Sequence, residues 1–187
     1  MTAITLTTRW TKFIFTSHIT FSVGWLGSVA VFLALAITGL TSQDTQLARS
    51  AYLAMELSGW FIIVPFGLAS LSTGLIQALG TKWGLFKHYW IVVKLFLTVA
   101  ATLLLLLHMQ PIAYLAGIAS ETSFSTDQET GLRIQLIADA GAAILLLLTT
   151  TTISVYKPWG LIRPRRKKIE RQNAVNAVHV VDRKNGY

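Results

Sequence analysis

Long apolar runs broken by short polar ones, rather than alternating positions, organise this chain. Between Phe13 and Leu40 the only Asp, Glu, His, Lys or Arg is His18, and between Ala51 and Leu79 it is Glu56. Tyr89 to Met109 holds Lys94 and His108, and Leu132 to Tyr156 holds Arg133 and Asp139. Runs of about 21 to 29 residues, at ~1.5 Å rise each, match a hydrocarbon core of about 30 Å when helical. The pattern therefore predicts four membrane-spanning helices at 13–40, 51–79, 89–109 and 132–156. They should form an all-α bundle, preceded by a short N-terminal segment (1–12) and followed by a tail (157–187). Within the first run, His18, Ser22, Trp25, Val29, Phe32 and Ala36 fall on one helical face, with Gly24 and Gly27 leaving room for a close neighbour. In the second, Glu56, Gly59, Trp60, Ile63, Gly67, Ser70 and Gly74 fall near one line, and mid-span Pro65 should kink the helix.

Composition agrees with the pattern, since 53% of residues are hydrophobic and 13% charged. Charge adds an orientation. Arg9 and Lys12 precede the first run, Lys82 and Lys87 separate the second from the third, and nine Lys or Arg follow Tyr156. The opposite loops carry only Arg49 and Arg133, beside Asp44, Glu121, Asp127 and Glu129. Positive residues stay on the cytoplasmic side, so both termini are expected there, with the RPRRKK block meeting anionic headgroups. That role accounts for the net charge of +8 without a nucleic-acid partner. A signal peptide has an apolar stretch about half as long as the first run, so the run reads as a first helix. Zero cysteines exclude disulfides, thiolate metal sites, thioether-bound haem and iron–sulfur clusters. Phosphate-cradling glycine loops, nucleophile elbows and zinc-protease helix motifs are absent as well.

One punctuation occurs twice, as TKWGLFKHYW (81–90) and YKPWGLIRPRR (156–166). Each follows a span exit, where Trp suits the interface, Gly loosens the turn and cations face phosphate. Two readings stand: convergence on a good membrane exit, or duplication of a helix pair about an axis along the membrane normal. Duplication would match His18 to His88, each early in an outgoing helix.

The candidate chemistry lies with the few titratable groups in the spans, because facing lipid costs an ionisable side chain several kcal/mol. His18 and His88 are candidate axial ligands for a b-type haem, with Trp25 packed on its edge. Glu56, His108 and Asp139 are expected at similar depth, beside Met55 and Met109. They form a candidate site for a metal ion, for proton relay, or for mutual hydrogen bonding that holds helices together. Lys94 is expected to snorkel toward headgroups. The function classes left open are a redox-cofactor or metal-binding bundle, a cofactor-free proton- or ion-linked transport or sensing protein, and an accessory subunit or homo-oligomer.

The opening SHITFSVGWLGSVAVF resembles the His-then-Trp-then-Gly start of several small bacterial four-helix membrane families, copper-resistance D-type proteins among them. The stretch from STGLIQALG through the leucine run to His108, with the YKPWGL exit, is similar to an uncharacterised family of bacterial integral membrane proteins. That resemblance implies the four-span architecture and a bacterial inner membrane, and no established activity. A remoter resemblance to di-haem b-type cytochrome bundles rests on paired histidines. The second and fourth spans hold none, so it implies at most one bis-histidine haem, between His18 and His88.

Overall fold

The structure is a computed structural model that describes residues 7–80, 89–121 and 129–156, without the side chain of Trp90. Every regular element among the described residues is helical: α1 (Thr8–Thr41), α2 (Thr45–Ser58), α3 (Val64–Gly80), α4 (Tyr89–Ser120) and α5 (Thr130–Tyr156). A π-turn, Gly59–Ile63, joins α2 to α3, so these make one continuous second span, Thr45–Gly80. Four helices are thus long and apolar enough to cross a membrane. At most 28% of the most apolar window of any span is buried within the chain. The outward faces carry exposed Val31, Phe61, Phe96, Leu107 and Leu145, a surface that water would not tolerate and lipid requires. The chain is an integral membrane protein built as a four-helix bundle.

Helix α1 packs against α2, α3 and α5, and α4 packs against the same three. Accordingly α1 and α4 stand at opposite corners, with the second span and α5 at the other two. The stripe read from the sequence is the inner face of α1: His18, Trp25, Val29, Phe32 and Ala36 are buried, and Ser22 is partly so. Close approach to α3 depends on Gly24, where a Cβ would come within 2.6 Å of the Phe66 ring.

Three expectations are corrected, each because burial overrides a local signal. The first loop shrinks to Ser42–Asp44. Asp44 caps α2 by accepting from the Gln46 and Leu47 amides, and Ala48, Ala51 and Tyr52 are buried against the bundle. Helix α4 does not end at Met109. It runs through Pro111 to Ser120, because Ile112, Leu115, Ala116 and Ala119 are all buried, which outweighs the hydrogen bond that proline removes.

The third correction concerns the second span. Its inner line runs through Met55, Gly59, Ile63, Gly67 and Ser70, all buried, whereas Trp60 is 49% exposed and Glu56 is only partly buried. Pro65 has no amide hydrogen, and just before it the Val64 amide bonds to the Gly59 carbonyl, five residues back. The helix therefore takes up one extra residue in a widened turn, which moves Glu56 and Trp60 off the packed face.

Replacing Gly24 by Val should drive Phe66 off its site and destabilise the bundle by about 1–3 kcal/mol. A lower SDS midpoint in unfolding titrations would register it, while Gly27→Val, which meets nothing within 4 Å, should leave that midpoint in place.

Candidate functional site

Two polar pairs and a cavity occupy the bundle interior. Near the end that carries the termini, the His18 ring is buried between α1 and α3. Its Nδ1 lies 3.0 Å from the Ser70 carbonyl oxygen and 3.2 Å from Thr73 Oγ1. A carbonyl only accepts, so Nδ1 carries the proton and Nε2 presents its lone pair. Lys94 Nζ meets that lone pair at 3.3 Å, reaching in from α4 at the opposite corner. Lys94 therefore does not snorkel away, because an acceptor stands at its own level. Ser22 Oγ and Ser70 Oγ, 2.8 Å apart, extend the same polar seam one turn along α1.

This geometry decides how well His18 fits a haem. Both ring nitrogens are engaged, and a Cβ at Gly74 would lie 3.0 Å from its Cε1, so the ring is also closed on its α3 side. The surroundings suit a neutral imidazole latching three helices and leave no nitrogen for iron. The second proposed ligand, His88, lies outside the described residues, as do both copies of the Trp-Gly-Leu punctuation. Trp25, assigned to the haem edge, is 3% exposed and packs its ring on Gly67.

His108 stands 14 residues beyond Lys94 on α4, about 21 Å along a helix axis rising ~1.5 Å per residue. Its Nδ1 is 2.7 Å from the Leu104 carbonyl oxygen one turn back, and its Nε2 is 2.7 Å from Asp139 Oδ2 on α5. The second contact has the distance of an ion pair for a protonated ring, and its geometry is not that of a hydrogen bond to Oδ2. The two side chains are 20% and 33% exposed, so the pair sits at the seam between α4 and α5 with one edge toward lipid.

Glu56 does not join them. It lines an outward groove with Leu53, Leu57, Trp60 and Phe61, and among the described residues no three His, Asp or Glu side chains approach closely enough to hold a metal ion. The π-turn explains the separation, since the inward position at that level goes to Met55. Met55 and Met109 are both 1% exposed, the latter with its methyl group against Gly59.

Between the polar pairs lies a cavity of about 120 Å³, walled by α1, the π-turn, α4 and α5. Trp25, Phe32, Ile63, Met109 and the small residues Ala140 and Ala143 line it, and His108 and Asp139 are its ionisable lining residues. It is partly open at one side, so its apolar lining lacks packing partners there.

Sequence reasoning underrated Arg133. At 1% exposure it is among the most buried side chains, with its guanidinium carbon 5.1 Å from the centre of the Tyr52 ring. The charge pattern counts it with the outer-loop cations, at the start of the 132–156 run, whereas the structure buries it in α5. At that same end Arg49 Nη2 donates to the Ser120 carbonyl, a cation closing a helix C-terminus.

Comparison with family models, with curated proteins and with solved structures finds no match for the chain.

If His18 and Lys94 form one latch, their substitutions should be non-additive. His18→Leu and Lys94→Met should each cost about 1–2 kcal/mol, and the double variant less than the sum, with a coupling of about 0.5–1.5 kcal/mol. SDS unfolding titrations of the four proteins measure that cycle; strict additivity would separate the two residues.

Proposed function

We propose that this bundle is a cofactor-free, proton-linked membrane protein, acting in transport or sensing, whose working group is the His108–Asp139 pair. One observation carries the reading: both nitrogens of His108 face oxygen atoms at 2.7 Å. Nδ1 keeps its proton and donates it in a hydrogen bond to the Leu104 carbonyl. A neutral imidazole then has only a lone pair at Nε2, and a carboxylate also has only lone pairs to offer. Lone pairs this close repel, so the 2.7 Å contact favours one more proton on the pair, held either as imidazolium with carboxylate or as imidazole with carboxylic acid.

Either way the pair is neutral overall, the form that a low-dielectric setting favours. Loss of the proton would leave a net negative charge and two opposed lone pairs, so release requires the helices to part or a cation to take its place. That linkage between proton occupancy and the α4–α5 seam is what a transporter or sensor needs, and it requires no bound metal or haem.

The surrounding chain fits the same reading. The latch at His18 and Lys94 ties α1, α3 and α4 together at one level, while the His108–Asp139 seam at another level joins α4 to α5 alone. Movement is therefore easiest at the seam. The positive-inside asymmetry supports a cytoplasmic side for both termini, with the 157–187 tail against anionic headgroups, and the resemblance to bacterial four-helix families supports a bacterial inner membrane.

Nitrogen-15 NMR of histidine-labelled protein at neutral pH tests the proton, with a His108→Gln variant to assign the signals. The expected spectrum has His108 protonated at both nitrogens, or protonated at Nδ1 alone with an infrared carboxylic-acid band that Asp139→Asn removes. Asp139→Asn should also leave Nε2 bare. A wild-type His108 with an unprotonated Nε2 and no such band would sink the reading. Orientation has a separate test, aided by the lack of native cysteine. In intact cells a membrane-impermeant maleimide should label Ser42→Cys and spare Thr7→Cys.

A further inference from the structure

The cavity beside the pair is bordered by Ala140 and Ala143, positions from which a leucine side chain would enter it. Its walls and its single polar edge together describe a ligand. We propose that it binds a small phenol-type molecule, one aromatic ring bearing one hydroxyl, drawn from the lipid phase. The inference rests on the proton-holding pair for its polar anchor.

Size sets the first limit. A cavity of about 150 Å³ lined by aliphatic and aromatic side chains stays dry and takes up benzene, and this one, at about 120 Å³, accepts one ring at most. The lining sets the second. Trp25 and Phe32 offer aromatic surface, Ile63 an aliphatic wall, and Met109 an unbranched thioether that can shift to suit a ring edge.

Polarity sets the third limit. The ionisable groups in the wall stand together at one edge, where a carboxylate and an imidazole are in contact. A hydroxyl is suited to that edge, since it can donate to Asp139 and accept from His108 through the same oxygen. A purely hydrocarbon ring would gain nothing from that polar edge, and a charged ligand would meet no countercharge elsewhere in the wall.

Access and adjustability are also present. The pair's side chains are 20% and 33% exposed, and Leu104 and Leu107, one turn before and next to His108 on α4, are 47% and 68% exposed, so the polar edge is approached from the lipid side. The opposite wall includes Gly59 and Ile63, the two ends of the π-turn. Such turns recur at functional sites and can return to α-helix by moving one residue, which would change the width of the cavity without breaking the span.

The experiment uses fluorine NMR of detergent-purified, full-length protein titrated with 4-fluorophenol and, separately, with fluorobenzene. A saturable, shifted 4-fluorophenol signal is expected, with fluorobenzene binding about tenfold more weakly. Ala140→Leu and Ala143→Leu should abolish the signal while keeping a thermal midpoint at or above wild type, which shows that the loss is not unfolding. His108→Ala should weaken 4-fluorophenol about tenfold and leave fluorobenzene unchanged. The proposal is overturned if no saturable signal appears, if both leucine variants bind as wild type does, or if the two probes bind equally. The nitrogen-15 measurement on ligand-free protein separates the two ideas. A doubly protonated His108 with no phenol binding removes the ligand and keeps the proton role, whereas leucine-sensitive binding without that proton does the reverse.

Discussion

Hydrocarbon offers no hydrogen bonds, so each polar side chain in these spans must find its partner inside the protein. The smallest ones turn back on their own helix: Thr149, Thr151, Thr152 and Ser154 each donate to a carbonyl four residues earlier, and Thr150 to one three residues earlier. Groups that cannot be satisfied locally bridge helices, and those bridges place α1 on α3 through Ser22 and Ser70, α1 on α4 through His18 and Lys94, and α4 on α5 through His108 and Asp139. Apolar surface alone would not fix these partners, since a leucine face is as content with lipid as with another helix. Glu56 makes no such bridge; it is a partly buried carboxylate in a groove of Leu53, Leu57, Trp60 and Phe61.

Two prolines test how much a local breaker matters when tertiary burial opposes it. Pro111 leaves α4 continuous because four buried side chains follow it, and this continuity puts His108 well inside the helix rather than in its last turn. Pro65 is accommodated by the π-turn instead, which draws Met55 inward, turns Glu56 outward, and lends Gly59 and Ile63 to the cavity wall. The shape of the interior thus follows from how the bundle absorbs two missing amide hydrogens.

The two histidines of the bundle meet different surroundings. His18 faces one acceptor and one donor, so a neutral ring satisfies both. His108 faces a carbonyl oxygen and a carboxylate oxygen, each at 2.7 Å. Two histidines of similar standing in the sequence therefore stand in unlike settings, one latching three helices and the other at the seam between α4 and α5.

The chain's own order of residues determined the solvent, the number of spans and the inward face of α1, because hydropathy and helical periodicity are local and each run is long enough to commit itself. It also marked His18, Glu56, Lys94, His108 and Asp139, since such groups are scarce among apolar runs, while Arg133 passed as a loop cation and Tyr52 went unmarked. What it did not determine was their pairing. The sequence grouped Glu56 with His108 and Asp139 by depth along ideal helices, but depth says nothing of rotation, and the π-turn swung Glu56 off the packed face. It sent Lys94 to the headgroups because no local pattern shows an acceptor 76 residues away at the same level. Partners, helix ends beyond proline and the central cavity belong to the tertiary structure alone, because each depends on how several helices share one interior.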